Sequence, residues 1–309
     1  MENNSITLQA HAKINLGLEV IKKRTDRYHE LRMVMQSLLL HDIISIKKIK
    51  EKDIIIHTNL PWLPTDERNL VYKAAALMRE KFSLPGGIYI EITKHIPVSA
   101  GLGGGSADCA AALLGLNKLY ELKIPRPLLY NLGASLGADV PFCILRNTAL
   151  VTGKGEKLTP LTAHPFVYVL LAKPPFSIST AEAFDDLINY KLPPEDDKID
   201  NLVQAIENKS ILSICKYFFN HLEVTAQKYP IIEEIKRVML NNGAFGALMS
   251  GSGPTVFGYF KTKDSAEEAT EHIKNLGIKD IILTGIYTGG VQNNFNTKAN
   301  FLKDKYIWD

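Results

Sequence analysis

Four glycines fall within five residues, at Gly101, Gly103, Gly104 and Gly105, in the run Pro97-Val98-Ser99-Ala100-Gly101-Leu102-Gly103-Gly104-Gly105-Ser106-Ala107-Asp108. A β-branched stretch, residues 88–93, precedes this run, and an Ala-rich helical stretch, residues 106–120, follows it. Glycine adopts φ > 0 freely, and that geometry turns successive N–H groups inward to make an anion-binding nest. A helix starting at Ser106 adds unpaired N–H groups and the positive end of its dipole. The expectation is a phosphate cradle, because a tight turn without a ligand needs fewer glycines. Two common cradles fail on spacing. Walker A requires Gly-Lys-Ser/Thr, which is absent, and the dinucleotide fingerprint requires a sixth-position Gly where this chain has Ser106 or Asp108. A second glycine segment, Met249-Ser250-Gly251-Ser252-Gly253-Pro254-Thr255, lies between two strand-like stretches and by itself is equally well a flexible hairpin. Neither segment contains the Gly-x-Ser-x-Gly of a hydrolase elbow.

Around these loops the chain reads as α+β. Residues 7–10, 14–21, 42–48 and 53–57 are β-branched or alternating. Residues 70–82 have apolar positions at helical spacing, and Pro85-Gly86-Gly87 stops them. Residues 128–136 read as a shorter helix and 140–151 as a strand. Two prolines at 160 and 165 mark the expected boundary between a domain at 1–160 and a second at 161–290, with a polar tail at 291–309. In the second part, strands are expected at 166–172, 244–249, 256–260 and 280–287. Helices are expected at about 181–189, at 200–241 with a break at Tyr229-Pro230, and at 264–276; residues 192–200 read as an exposed acidic loop. Strands and helices lack regular βα alternation, which argues for two α+β domains over a doubly wound sheet.

Composition excludes several classes. Lys+Arg (36) nearly balance Asp+Glu (33), a formal net charge of +3, so no basic excess marks an obligate nucleic-acid binder. No window approaches 18 apolar residues, so no membrane span is expected, and the N-terminus lacks a signal-peptide pattern. Cys109, Cys143 and Cys215 have no metal or redox spacing and read as reduced apolar residues, consistent with a cytoplasmic setting.

Two charged residues stand among apolar neighbours. Lys13 lies in Ala12-Lys13-Ile14-Asn15-Leu16, where an edge-strand surface lysine is the ordinary explanation. Asp139 lies in Gly137-Ala138-Asp139-Val140-Pro141-Phe142, where a capping aspartate is the ordinary explanation. Together they supply what phosphoryl transfer needs: a carboxylate to take the proton of an attacking alcohol, and an ammonium to neutralise charge on the transferred group. Whether residues 13 and 139 meet depends on the fold.

The glycine run resembles the ATP loop of the GHMP kinases (galacto-, homoserine, mevalonate and phosphomevalonate kinases). Four further segments occur in the same order over about residues 8–260: Ala12–Leu16, Asp26-Arg27-Tyr28-His29-Glu30-Leu31, Gly137–Phe142 and Met249–Thr255. The Lys-x-Asn and Tyr-His-Glu-Leu segments point to members acting on a cytidine diphosphate-linked methylerythritol in the non-mevalonate isoprenoid route. Arg27 stands where the usual pattern has Gly. The resemblance implies a ribosomal S5 domain 2-like N-terminal domain, a ferredoxin-like C-terminal domain and an active site between them. It implies Asp139 as general base on a substrate hydroxyl, with Lys13 orienting it and stabilising transition-state charge. ATP would sit on Pro97, Val98, Ser99, Ala100, Gly101, Leu102, Gly103, Gly104, Gly105, Ser106 and Ala107. Tyr28 and His29 would hold the cytosine with Phe184 on its other face, and Asn15 and Thr180 would contact the diphosphate or polyol part. Mg²⁺ would accompany ATP; its protein ligands are left open, with Ser106 a candidate. Two alternatives stand beside this reading: another GHMP kinase acting on a sugar or amino-acid alcohol, and a non-catalytic nucleotide or RNA binder of S5-like fold.

Overall fold

The computed structural model describes residues 4–26, 28–190, 192 and 197–289. Arg27, residues 193–196 of the acidic loop and the polar tail at 291–309 lie outside the described residues. The first part of the chain forms β1 (Ser5–Lys23), β2 (His29–Ile49), β3 (Ile54–Thr58), α1 (Leu70–Phe82), β4 (Gly87–Thr93), α2 (Gly104–Leu119), α3 (Arg126–Leu136), α4 (Val140–Leu145), β5 (Thr148–Gly153) and β6 (Lys157–Pro160). The second forms β7 (Tyr168–Lys173), α5 (Thr180–Asp186), α6 (Lys198–Glu207), α7 (Ile211–Lys216), β8 (Phe219–Asn220), α8 (Pro230–Asn241), β9 (Gly246–Met249), β10 (Val256–Phe260), α9 (Lys263–Lys274) and β11 (Asp280–Gly285).

The first sheet is organised by two long strands. β1 and β2 pair antiparallel, with register shifts between His11 and Lys13 and between Asn15 and Gly17. These irregularities carry β1 through polar positions where the sequence pattern reads a break, so the short strands predicted at 7–10 and 14–21 become one, while that at 42–48 is the end of the longer β2 and that at 53–57 is β3. On its other edge β2 serves two partners, β5 along Leu31–Gln36 and β4 along Ile43–Ile49. β3 extends the sheet beyond β4, and β8 joins β1 in parallel at Gly17–Leu18. The second sheet has the order β11-β7-β10-β9, antiparallel throughout. With α8 and α9 as its crossovers this is the β-α-β-β-α-β ferredoxin-like arrangement.

Strand periodicity assigns the core. Ala12, Ile14 and Leu16 of β1 join Val169 and Leu171 of β7, Leu248 of β9 and Phe257 and Tyr259 of β10 in one apolar cluster between the sheets. The opposite faces pack on helices: Ile44 and Ile46 of β2 against the Ala107–Leu116 stripe of α2, and Leu170 and Ala172 of β7 in a cluster with Ile235 of α8 and Ile273 of α9. The sheets are also joined by polar groups. Gln36 Nε2 donates to the Tyr287 carbonyl (2.9 Å), Tyr287 N–H donates to the Ser37 carbonyl (2.9 Å), and Leu40 N–H donates to Thr284 Oγ1 (2.9 Å).

Some expectations need correction. Residues 140–151 are not one strand. Pro141 sits at the start of the short α4, where a missing N–H costs nothing, and Arg146 and Asn147 at positive φ then turn the chain into β5. The region 200–241 is not one broken helix but α6, α7, the strand β8, a 3₁₀ turn at His221–Ala226 and then α8. The three cysteines are free and buried, and among the described residues no helix is long and apolar enough to cross a membrane.

Two buried histidines give the fold a pH dependence. His11 donates from Nδ1 to the Leu38 carbonyl (2.8 Å) and packs on Tyr287 at 4.1 Å between ring centroids. Burial, with the charges of Arg146 and His41, lowers its pKa to about 3; burial lowers that of His164 to about 4. Both stay neutral when folded and take up protons on unfolding, so their contribution is complete above the unfolded pKa of 6.5 and is lost as pH falls. Thermal melts should show stability dropping on the order of 1 kcal/mol per pH unit per histidine below pH 6.5. A flat profile from pH 7 to 4.5 would refute this.

Candidate active site

A cleft of about 1080 Å³ opens on the face of β1 turned away from the second sheet, floored by the glycine loop and β1 and walled by the start of β2, α5 and the loop before β10. Of the predicted ATP-loop residues, Pro97, Val98, Ser99, Ala100, Gly101, Gly103, Gly104, Gly105 and Ser106 line it. Leu102 and Ala107 do not: both side chains are buried, and the Ala107 N–H is spent on the Gly103 carbonyl (2.9 Å) inside the helix. The helix begins at Gly104, two residues before the expected Ser106. Its first N–H groups, at Gly104, Gly105 and Ser106, therefore have no intrahelical partner and face a ligand-sized space.

Only two of the four clustered glycines need positive φ. Gly101 (φ +75°) lies so close to the Ser250 carbonyl that a Cβ would be 2.2 Å from it. Gly103 (φ +68°) caps α2, and its Cβ would meet the Lys13 side chain at 2.8 Å. The second glycine segment is thus part of the same site. Ser250 Oγ donates to the Gly101 carbonyl (3.0 Å), and Gly251 and Ser252 line the cleft. Asn220 of β8 holds this segment in place by donating from Nδ2 to the carbonyls of Met249 (2.9 Å) and Gly251 (2.8 Å).

The fold brings residues 13 and 139 together. Period-two alternation puts Lys13 and Asn15 on the face of β1 opposite Ala12, Ile14 and Leu16, toward the glycine loop. Lys13 is 5% exposed, which removes the surface-lysine explanation. Its Nζ donates to Asn15 Oδ1 (2.8 Å) and stands 3.5 Å from Asp139 Oδ2; its backbone N–H donates to the Leu102 carbonyl (2.9 Å). Asp139 occupies the N-cap position of α4, yet its side chain makes no cap hydrogen bond. The capping explanation therefore fails, and a carboxylate about one-third exposed faces the cleft beside an ammonium. Asn15 is almost fully buried, and Lys13 occupies its amide oxygen.

The other end of the cleft is aromatic. His29 and Phe184 stack directly, 4.9 Å between centroids and 20° between planes, so no base fits between these two rings. Tyr28 is exposed, with the Lys154 ammonium 4.6 Å over its ring. Tyr28, His29 and Phe184 all line this end of the cleft. Burial, then the nearby Lys23 charge, lowers the His29 pKa, so the imidazole is neutral at pH 7 and can both donate and accept. Thr180 opens α5 and lines the cleft, its hydroxyl 2.9 Å from Ser252 Oγ.

Sequence reasoning missed several residues lining the cleft. Lys154 stands between glycines in Thr152-Gly153-Lys154-Gly155, a glycine-flanked cation that marks a turn shaped around it. Lys94 and Asp108 flank the glycine run itself. Arg68 and Asn69 come from a loop with no distinguishing pattern, and only the fold places them there.

The GHMP kinases N terminal domain model matches residues 69–147, and the GHMP kinases C terminal model matches residues 202–279. The chain is 48% identical over 276 residues to a 4-diphosphocytidyl-2-C-methyl-D-erythritol kinase of Lachnospira eligens, covering 88% of this chain and 95% of that one. It is 46% identical over 280 residues to the kinase of the same name from Caldicellulosiruptor bescii, covering 90% and 96%. The crystal structure of a 4-(cytidine 5'-diphospho)-2C-methyl-D-erythritol kinase superposes with a TM-score of 0.77 at 32% identity, over 92% of this chain and all of that one. A homoserine kinase from Cytophaga hutchinsonii, at 19% identity and a TM-score of 0.74, shares the fold.

The contrast between two glycines tests this geometry. Gly103→Ala introduces a β-carbon at positive φ and against Lys13, and should destabilise the chain by about 1–2 kcal/mol in chemical denaturation. At Gly105 the nearest atom to a Cβ is 3.9 Å away and the backbone is helical, so Gly105→Ala should be neutral or stabilising by up to about 1 kcal/mol. Equal effects at the two positions would contradict the loop conformation described.

Proposed function

The chain belongs to the GHMP kinase family, in its 4-diphosphocytidyl-2-C-methyl-D-erythritol kinase branch, and we propose that it transfers the γ-phosphoryl group of ATP to the 2-hydroxyl of 4-diphosphocytidyl-2-C-methyl-D-erythritol. The products are ADP and the 2-phosphate, on the non-mevalonate route to isoprenoids. The observation that carries the reading is the Lys13–Asp139 pair at 3.5 Å beside a helix N-terminus built from glycine.

The acceptor hydroxyl lies against Asp139, whose carboxylate takes its proton as the oxygen attacks the γ-phosphorus. The bond from that phosphorus to the β–γ bridging oxygen breaks, and ADP leaves. The transfer is direct, because an alcohol already activated by a base has no need of a phosphoenzyme. The transition state is loose, so the enzyme contributes chiefly position and charge neutralisation. The Lys13 ammonium supports both: it fixes the Asp139 carboxylate and balances charge on the transferred group. The free N–H groups of Gly104, Gly105 and Ser106 receive phosphate oxygens along the dipole axis of α2. Asn15, its oxygen committed to Lys13, offers its NH₂ group to the acceptor, and Thr180 offers its hydroxyl.

Mg²⁺ suits this cleft as an ion carried on the nucleotide. Among the described residues no cluster of three or more metal-ligating side chains exists, whereas Ser106 presents a hydroxyl in the first turn of α2. This matches the habit of Mg²⁺ to keep phosphate and water ligands. Bound there, with Ser106 as its protein ligand, it would offset negative charge on the β- and γ-phosphates. At the aromatic end, Tyr28 and Phe184 give the cytosine a stacking surface and neutral His29 reads its edge.

Two measurements test these roles. Asp139→Asn should lower kcat by about 10²–10⁴-fold while ATP affinity stays near that of the parent, and Lys13→Ala should lower kcat in the same way. Near-normal turnover of Asp139→Asn would remove the base assignment; lost ATP affinity with unchanged kcat in Lys13→Ala would make Lys13 a binding residue only. Phe184→Ala should raise KM for the cytidine-containing acceptor about tenfold and leave KM for ATP unchanged. Turnover of galactose, homoserine or mevalonate in preference to that acceptor would assign the chain to another branch.

A further inference from the structure

Beneath the glycine loop lies a buried ionic cluster that the reaction described above does not use. Lys94, in the segment leading from β4 to the loop, pairs with Asp42 of β2 and, at 2.7 Å, with Asp108 of α2. All three side chains are buried. Asp42 also accepts from the N–H groups of His95 (2.5 Å) and Ile96 (2.8 Å). Asn59 completes the grip: its Oδ1 accepts from Lys94 N–H (2.8 Å), and its Nδ2 donates to the Lys94 carbonyl (3.2 Å). The backbone entering the loop at residues 94–96 is therefore fixed to the first sheet. The backbone leaving the loop is fixed to the same point, because Asp108 sits one turn into α2 and Lys94 Nζ would stand 3.3 Å from a Cβ on Gly104.

We propose that Lys94 and Asp108 are positioning residues for the nucleotide: the hydrogen bond from Lys94 Nζ to Asp108 Oδ2 (2.7 Å) ties the strand entering the glycine loop to the helix leaving it and keeps the loop open for phosphate before ATP arrives. The proposal rests on the reading of the cleft as an ATP site. The loop, with positive φ at 101 and 103, has no hydrogen-bonded ladder of its own: Ser250 and Lys13 hold its middle at the Gly101 and Leu102 carbonyls, and the rest of its shape depends on where its two ends are held. The charge balance agrees with this role. Two carboxylates around one ammonium would leave a buried negative charge under a polyanion site. Burial, with the neighbouring Asp42, holds the Asp108 carboxyl well above the usual carboxylate range. Its Oδ1 has no hydrogen-bond partner among the described residues. A proton on Asp108 makes the cluster neutral.

Calorimetric binding of the non-hydrolysable analogue AMP-PNP to the full chain, with steady-state kinetics and thermal melts, tests the proposal. Asp108→Ala should weaken AMP-PNP binding at least tenfold and raise KM for ATP in proportion, with KM for the acceptor within about twofold of the parent. Asp108→Asn, which keeps an oxygen for Lys94, should recover binding to within about threefold. A folded Asp108→Ala variant with unchanged AMP-PNP affinity, or one weakened equally toward both substrates, overturns the proposal. If Asp108→Ala does not fold, Lys94→Gln read in the same assay decides: weakened analogue binding supports the tie and unchanged binding overturns it. A parent chain that binds no AMP-PNP would instead defeat the ATP reading, a result distinct from any change confined to the variants.

Discussion

The burial of one ammonium group organises the cleft. Removing an isolated cation from water costs several kcal/mol unless anionic or dipolar partners surround it. Lys13 meets that requirement with Asn15 two residues along its own strand and with Asp139 from a separate helix start. The partners restrict what the chain can do around them. β1 must carry irregular register on either side of residues 13–15. The loop above must be glycine at 103, because the Lys13 stem occupies the space of a side chain there. The α4 turn must begin at 139, so that a carboxylate without a capping task arrives within reach of the ammonium.

The near-neutral charge of the chain acquires a local meaning from this arrangement. Two polyanionic substrates meet a protein with a formal net charge of only +3, so long-range attraction over the whole surface contributes little. Positive potential comes instead from oriented groups: the free N–H groups at the start of α2, the Lys13 ammonium and Lys154 at the aromatic end. Such groups act over a few ångströms and keep their strength where water is excluded.

Much of this was visible in the residues. The glycine cluster, the polar insertions at 13 and 139 and the Tyr28-His29 pair each break a local pattern, and a broken pattern can be detected without a fold. Elements whose signals are local, such as α1 and β10, emerged with their boundaries intact. What stayed hidden depends on long-range pairing. Only residues 42–48 of β2 carry a predicted strand; residues 29–41 do not, since the two ends of β2 serve different partners and no single alternation runs through it. The strand β8 is two residues long and exists only through β1. The 140–151 stretch is apolar throughout, which periodicity alone cannot divide into helix and strand. The direct stacking of His29 on Phe184 was also hidden, a contact set by where α5 docks and not by either residue's identity.

The second glycine segment carries a consequence for the evolution of the chain. The Ser250–Gly253 turn belongs to the second sheet, yet Ser250 bonds the glycine loop of the first, and Gly251 lies directly over the Lys13 ammonium. The Lys13–Asp139 pair is thus supplied by one half of the molecule and roofed by the other. Neither half can be exchanged for that of a distant relative as an independent module, since a foreign second half would have to reproduce the same turn at the same height over the first. Recombination within this architecture is confined to donors whose turn already fits, and the two halves are bound to diverge as a pair.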